Sequence, residues 1–309
     1  MSELRIVSLI PSATEIVIQL GFGESLVGRS HSCDFPSAVQ ALPVCTAPNF
    51  DTAGPSKAIH DRVSELLRRG LSVYDVDVEM LHRLRPTHIL TQDQCEVCAA
   101  SLADVQKAVA QVIEPQPQVV SLKPRILADL WDNLRQVATA LDPTNGDAIA
   151  DLTIAQLQSR LQDCLQKVPA KLPQPTVACL EWTDPLMGAG SWVPELVSMA
   201  GGHPLFGHVG RHSPWLDWDD LKAAEPDLLV VMPCGYDLQQ GRQSIDQLVQ
   251  MPSWQSLKAV KNGRVFVADG NQYFNRPGPR LVDSLEILAE ILNPDDCSFG
   301  YAMKAWKIY

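Results

Sequence analysis

The chain of 309 residues contains no run of 18 apolar residues, so no segment reads as a membrane-spanning helix. Positive charge is scarce. Lys plus Arg number 25 against 36 Asp plus Glu, a net charge of -11, and a nucleic-acid partner would need a basic face that this balance does not supply. Signatures of common catalytic folds are missing too. There is no Gly-x-Ser-x-Gly, no Walker sequence and no evident pair of catalytic carboxylates. Gly188 and Gly190 in "MGAGS" have the wrong spacing for a dinucleotide fingerprint, and no acidic partner follows at the right distance. The apolar stretch near Met1 is interrupted by Pro11 and Glu15 and preceded by the single basic residue Arg5, so it does not read as an export signal. The expectation is a cytoplasmic protein, or a periplasmic one if the mature form derives from a longer precursor. Cysteine is present at 33, 45, 95, 98, 164, 179, 234 and 297, and in a chain of this size without an export signal these 8 are expected as reduced thiols.

With 46% apolar and 20% charged residues the chain can bury a core, and its length suits two domains. Apolar runs at 6–10, 88–91, 118–122, 177–181, 227–232 and 264–268 predict buried strands. Helical spacing at 12–20, 56–69, 101–112, 194–200 and 280–292 alternates with them, which predicts βα units and mostly parallel sheets. Residues 125–168 carry apolar residues only at helical spacing, between the proline-rich "EPQPQ" and "KLPQPT", with a break or kink marked by "LDPTNG" at Pro143. The expected organisation is an N-terminal lobe at 1–122, a helical connector at 123–170 and a C-terminal lobe at 171–309.

The two lobes share a faint repeat. "EIVIQLGFGESLVG" from Glu15 parallels "ELVSMAGGHPLFG" from Glu195, and "EMLHRLRPTHIL" from Glu79 parallels "DDLKAAEPDLLV" from Asp219. In the second pair an acidic residue stands seven before a proline, which ends a helix ahead of a buried strand. Two matches in the same order predict two similar lobes enclosing a cleft, a common place for a ligand.

Five segments in order, "RIVSLIPSATEIV", "VEMLHRLRPTHIL", "SWVPELVSMAGG", "WDDLKAAEPDLLVV" and "AVKNGRVFVADG", resemble the cobalamin-binding substrate-binding proteins of ABC importers, members of the helical-backbone metal-receptor superfamily. The resemblance covers residues 5–292. It implies an α/β fold of two βα lobes with mostly parallel sheets, a long interlobe helix and a ligand cleft between lobes. It further implies a corrinoid ligand, with haem or a ferric siderophore as the ligands of relatives. One surface carboxylate on each lobe would dock on the transporter's transmembrane subunits. Glu79 matches the first, and Asp219 with its neighbour Asp220 matches the second, one methylene shorter than usual. Residues 48–80 are longer than the corresponding family segment.

The loop usually read as Tyr-Ser-Asp-Tyr-Pro is "HSCDFP" here. His31 thus stands where a cleft tyrosine is expected, beside Cys33 and Phe35. An imidazole there can contact or ligate a metal, and the bland alternative is a histidine bonded to loop backbone. Phe50, Gln92, Trp182, Met187, Trp215 and Tyr236 are the other expected ligand contacts, mostly at strand or loop ends on the cleft side. Trp192 reads as an anchor for the helix that follows it. Cys95 and Cys98 in "TQDQCEVCA" fall after the strand linked to Pro86. With His31 they form a candidate metal set, while a redox pair and plain cleft wall stay open as alternatives. No second Cys-x-x-Cys exists to complete a structural zinc site. The expected protein is a monomeric corrinoid receptor of an ABC-type uptake system that requires no cofactor. A cytoplasmic carrier, store or sensor, or a thiol-assisted corrinoid enzyme, is the alternative.

Overall fold

The structure is a computed structural model that describes residues 3–69, 71–93, 102–112 and 116–309. The chain forms two compact units. Unit 1 comprises Met1–Gly54, Asp61–Pro124 and Ala128–Gln156; unit 2 comprises Pro55–His60, Arg125–Leu127 and Leu157–Tyr309.

In unit 1, β1 (Ile6–Ser8), α1 (Pro11–Gln19) and β2 (Leu26–Arg29) are followed by β3 (Thr46–Pro48), α2 (Ser56–Arg68, of which residues 56–60 group with unit 2), β4 (Tyr74–Val76) and α3 (Val78–Leu84). Then come β5 (His88–Gln92), α4 (Leu102–Val112) and β6 (Gln118–Leu122). The sheet has the order β2-β1-β5-β6 and every pair is parallel. β3 and β4 form a separate antiparallel pair. Val7, Leu9, Leu81, Ile89, Val105 and Val109 pack as one buried cluster, so helices cover the strands as apolar parallel strands demand.

The helical stretch after β6 is realised as two helices, α5 (Leu127–Leu141) and α6 (Gly146–Lys167), rather than one. Pro143 occupies the break. The Asp142 carboxylate accepts the Thr144 and Asn145 N–H groups at 3.0 Å, satisfying donors that a continuous helix would have used. A side chain at Gly146 would collide with the Ala138 carbonyl, so this tight turn needs glycine. The stretch is also divided between the units: residues 128–156 group with unit 1 and those from 157 onward with unit 2.

Unit 2 continues with β7 (Thr176–Thr183), β8 (Leu186–Gly188), α7 (Val193–Met199), β9 (His203–Pro204), α8 (Trp218–Ala224) and β10 (Leu228–Val231). It ends with α9 (Leu238–Leu248), α10 (Lys258–Lys261), β11 (Val265–Ala268), α11 (Leu281–Leu292) and β12 (Trp306–Ile308). The order is β12-β11-β10-β7-β8, with β9 also on β7. The central strands β7, β10 and β11 run parallel, and β8 and β12 are antiparallel edges. All four residues of β10 and of β11 are buried.

The repeat seen in the sequence is a repeat of backbone. α1 and α7 each have a proline in the first turn and close with glycine at φ 86°, Gly21 and Gly201. The Phe22 N–H reaches the Val17 carbonyl and the Gly202 N–H the Val197 carbonyl, the same helix-ending bond in each. α3 and α8 both start after an aspartate, Asp77 and Asp217, bury one leucine completely, Leu81 and Leu221, and end on a left-handed residue before proline, Arg85 and Glu225.

Candidate functional site

Each unit gathers rings at the carboxyl ends of its parallel strands, where open α/β sheets place ligands. In unit 1 the rings come from loops. His31 lies two residues past β2. Its Nδ1 is 2.8 Å from the Thr46 hydroxyl, and its backbone N–H donates to the same oxygen at 3.1 Å. The imidazole packs on Tyr74, with centroids 5.3 Å apart, and Tyr74 meets the edge of Phe50 at 6.4 Å. Burial holds the His31 pKa below its ordinary value against an opposing hydrogen bond to the Thr46 backbone, so the ring is neutral near pH 7. Arg29 supports the loop from behind by donating to the carbonyls of Ser30 and Cys33 at 3.0 and 3.1 Å.

Cys33 is 1% exposed and its sulfur accepts the Thr14 hydroxyl at 3.0 Å. It holds the loop from beneath and presents no thiol to solvent, contrary to its expected place among the ligand contacts. Phe35 is exposed. Gln92, the last residue of β5, is buried and its amide nitrogen has no hydrogen-bond partner among the described residues. Cys95 and Cys98 lie outside the described residues. Among the described residues no three His, Cys, Asp or Glu side chains cluster to hold a metal.

In unit 2 the expected residues assemble. Trp182 and Met187 are paired across β7 and β8, and Met187 bridges to Trp215. The Trp182 ring lies 5.3 Å from Tyr236 and its Nε1 donates to the Asp184 carbonyl at 3.1 Å. Trp182 and Tyr236 are buried, whereas Trp215 is 55% exposed. The loop that carries Trp215 is nevertheless stitched down. The Gly188 N–H donates to the Pro214 carbonyl and the Leu216 N–H to the Leu186 carbonyl, both at 2.9 Å. Beneath the loop, the Ser213 hydroxyl donates to Glu181 at 2.6 Å and accepts the Gly190 N–H at 3.2 Å. Enclosure pushes the Glu181 carboxyl up from its ordinary value, partly offset by the Ser213 bond. Gly190 has no room for a side chain against Arg211 and Ser213, which accounts for the second glycine of "MGAGS" without a nucleotide.

Sequence reasoning missed several members. Thr46 and Tyr74 open β3 and β4, Tyr74 within the segment longer than the family's and Thr46 just before it, where the sequence offers no indication of contact with His31. The first turns of α2 belong to unit 2. Ser56 Oγ lies 2.9 Å from Thr183 Oγ1 and 3.5 Å from the Tyr236 hydroxyl, and the His60 ring meets Trp215 edge-on at 5.2 Å. The helix itself was legible, but its neighbours were not. Trp192 precedes α7 and donates from Nε1 to the Phe274 carbonyl at 2.9 Å, an anchor within unit 2.

The expected docking acids occupy equivalent places in the repeat. Glu79 is an exposed residue in the first turn of α3. Asp219 is its equivalent in α8, with its side chain 87% exposed and Lys222 at 2.5 Å. Asp220 instead accepts the Asp217 N–H at 3.1 Å and serves the helix start.

Residues 6–271 match the model of the family described as periplasmic binding protein. The chain belongs to that family. A vitamin B12-binding protein of Vibrio cholerae serotype O1 is 22% identical over 285 residues, covering 91% of this chain and 86% of the relative. An uncharacterised ABC transporter substrate-binding lipoprotein of Bacillus subtilis is 21% identical over 299 residues, covering 94% of this chain and 80% of the relative. Among solved structures, a periplasmic haem-binding protein from Roseiflexus sp. RS-1 in its apo form superposes with a TM-score of 0.69 at 22% identity, covering 95% of this chain and 99% of that one. The α/β fold expected from the sequence is therefore that of periplasmic binding proteins, and the substrate-binding class of ABC transporters is the chain's class. The Bacillus subtilis relative is named a lipoprotein and the Roseiflexus structure a periplasmic protein. That fits the periplasmic alternative and lends nothing to a cytoplasmic location. No helix among the described residues is long and apolar enough to cross a membrane.

Proposed function

We propose that this periplasmic binding protein is a non-enzymatic receptor for a corrinoid, the solute-binding component of an ABC-type uptake system. The observation that carries the reading is Trp215. A large indole held 55% exposed on a loop fixed by hydrogen bonds is an apolar surface kept ready for a partner. Met187, Trp182 and Tyr236 extend that surface behind it, and such rings suit the flat face of a macrocycle. His31, Tyr74 and Phe50 offer a second ring surface in unit 1. The ligand's chemical type is supported by relatives named for vitamin B12, while a neighbour named for haem makes an iron porphyrin the competing ligand. Glu79 and Asp219 would meet basic residues of the transmembrane subunits.

Thiol chemistry gains little support. Burial pushes Cys45, Cys164 and Cys179 up to about 12, which disfavours the reactive thiolate. Equilibrium dialysis against cyanocobalamin, haemin and a ferric tris-catecholate tests the reading. Retention of cyanocobalamin at one per chain is expected. Retention of haemin or the catecholate alone would transfer the assignment to that ligand.

A further inference from the structure

His31 is built differently from the other rings of the candidate site, and the difference points to a chemical role. Thr46 takes both the His31 backbone N–H and ring Nδ1 on one hydroxyl oxygen, at 3.1 and 2.8 Å. The Thr46 backbone is a further acceptor for the ring. With acceptors gathered at Thr46, the proton of the neutral imidazole belongs on Nδ1, and the lone pair on Nε2. Nε2 has no hydrogen-bond partner among the described residues and is not among their buried unsatisfied atoms. The ring plane is set by Tyr74 at 5.3 Å. An imidazole oriented through one nitrogen, with the other lacking a partner among the described residues, is the arrangement that metal-ligating histidines show.

We propose that His31 Nε2 is an axial ligand to the metal of the bound macrocycle, with Thr46 as its positioning residue. This rests on the receptor reading above and adds to it a preference for ligands whose metal has an exchangeable axial site. The step is a ligand exchange. The Nε2 lone pair forms a bond to Co(III) or Fe(III), the metal–water bond breaks and water leaves, with no change of oxidation state and no proton released. The metal comes with the ligand, so the absence of any three-residue metal cluster among the described residues is compatible with the role. A cobalt corrinoid and an iron porphyrin share this chemistry, and the choice of probe separates them.

The experiment uses the full chain and three probes: diaquacobinamide and haemin, which have exchangeable axial water or a weak ligand, and cyanocobalamin, whose two axial positions are filled. With wild type, absorption spectra of diaquacobinamide or of haemin should shift to the imidazole-ligated form. His31→Ala and His31→Gln should abolish that shift and weaken binding of the responsive probe by about 10- to 100-fold, a larger factor than for cyanocobalamin, which loses only the contact with the ring. Free imidazole should restore the shift in His31→Ala. Thr46→Val should weaken ligation while leaving the shifted spectrum attainable at higher protein concentration. Response to diaquacobinamide alone assigns the site to corrinoids, and response to haemin alone to porphyrins; either supports ligation. Binding of all three probes with no imidazole-type shift, or the same shift in both His31 variants, overturns the ligation while leaving the receptor reading intact. No binding of any probe overturns both.

Discussion

The ring clusters of the two units reach similar positions by opposite means. In unit 2 the rings are held by sheet. Trp182 is part of β7, Met187 is its cross-strand partner, and the Trp215 loop is hydrogen-bonded to β8. In unit 1 His31 and Phe50 stand on loops, and the fixed point is one hydroxyl, Thr46, at the start of a two-stranded ribbon. Unit 2 thus offers a rigid apolar face suited to stacking. Unit 1 offers an imidazole with one nitrogen engaged and one available. Duplicated backbones, as in α3 and α8, leave side-chain chemistry at the strand ends to diverge.

The backbone equivalence can be broken at the buried leucines. Leu81→Ala and Leu221→Ala each remove a fully buried side chain under matching helices, and each should destabilise its unit by about 2–5 kcal/mol in denaturant unfolding. A loss at only one of them would show that the repeat is geometric without being energetic. Next in size is the support of the Trp215 loop. Ser213→Ala deprives the Glu181 carboxyl of its side-chain donor and should cost about 1–3 kcal/mol. Glu181 and Ser213 take no part in the described His31 contacts, so this variant should leave the unit 1 spectral response unchanged.

Much of this comparison was legible in the sequence, for identifiable reasons. The six predicted strands match β1, β5, β6, β7, β10 and β11, because strands buried on both faces read as continuous apolar runs. Short edge strands such as β8, β9 and β12 carry no such run. The Glu79 and Asp219 match was visible because the helix stop is a proline. The residues ending those helices in the left-handed region, Arg85 and Glu225, gave no signal, since glycine is the usual choice there. Trp182, Met187, Trp215 and Tyr236 were legible as strand-end residues. Thr46, Tyr74, Ser56 and His60 were not, because a threonine at a strand start or a serine at a helix start usually serves local backbone.

Smaller effects sharpen the contrast. Trp215→Ala should weaken cyanocobalamin binding about tenfold or more while leaving the melting temperature close to wild type, since the ring is exposed. Calorimetry and a thermal scan check both halves. Glu181 predicts a pH effect of known sign. Its carboxyl is raised in the fold, so the folded state holds the proton more tightly. The stability this contributes is fully present below the ordinary value of 4.5 and is lost as pH rises through the raised one. Glu181→Gln should flatten that decline between acidic and neutral pH. Smallest in the isolated protein are Glu79→Lys and Asp219→Lys, exposed changes expected to alter stability by about 0.5 kcal/mol or less. Both should leave corrinoid affinity unchanged and reduce uptake through a reconstituted transporter.

Tryptophan fluorescence during titration with cyanocobalamin tests the central claim most directly, because the proposed contact surface contains its own reporters, Trp182 and Trp215. The account predicts quenching that saturates at one ligand per chain with a dissociation constant at or below about 1 μM, equivalent to about -8.2 kcal/mol, and loss of most of the quenching amplitude in Trp215→Ala. Unchanged fluorescence up to about 1 mM cyanocobalamin, a level equivalent to about -4.1 kcal/mol, together with saturable quenching by haemin, would contradict a corrinoid receptor.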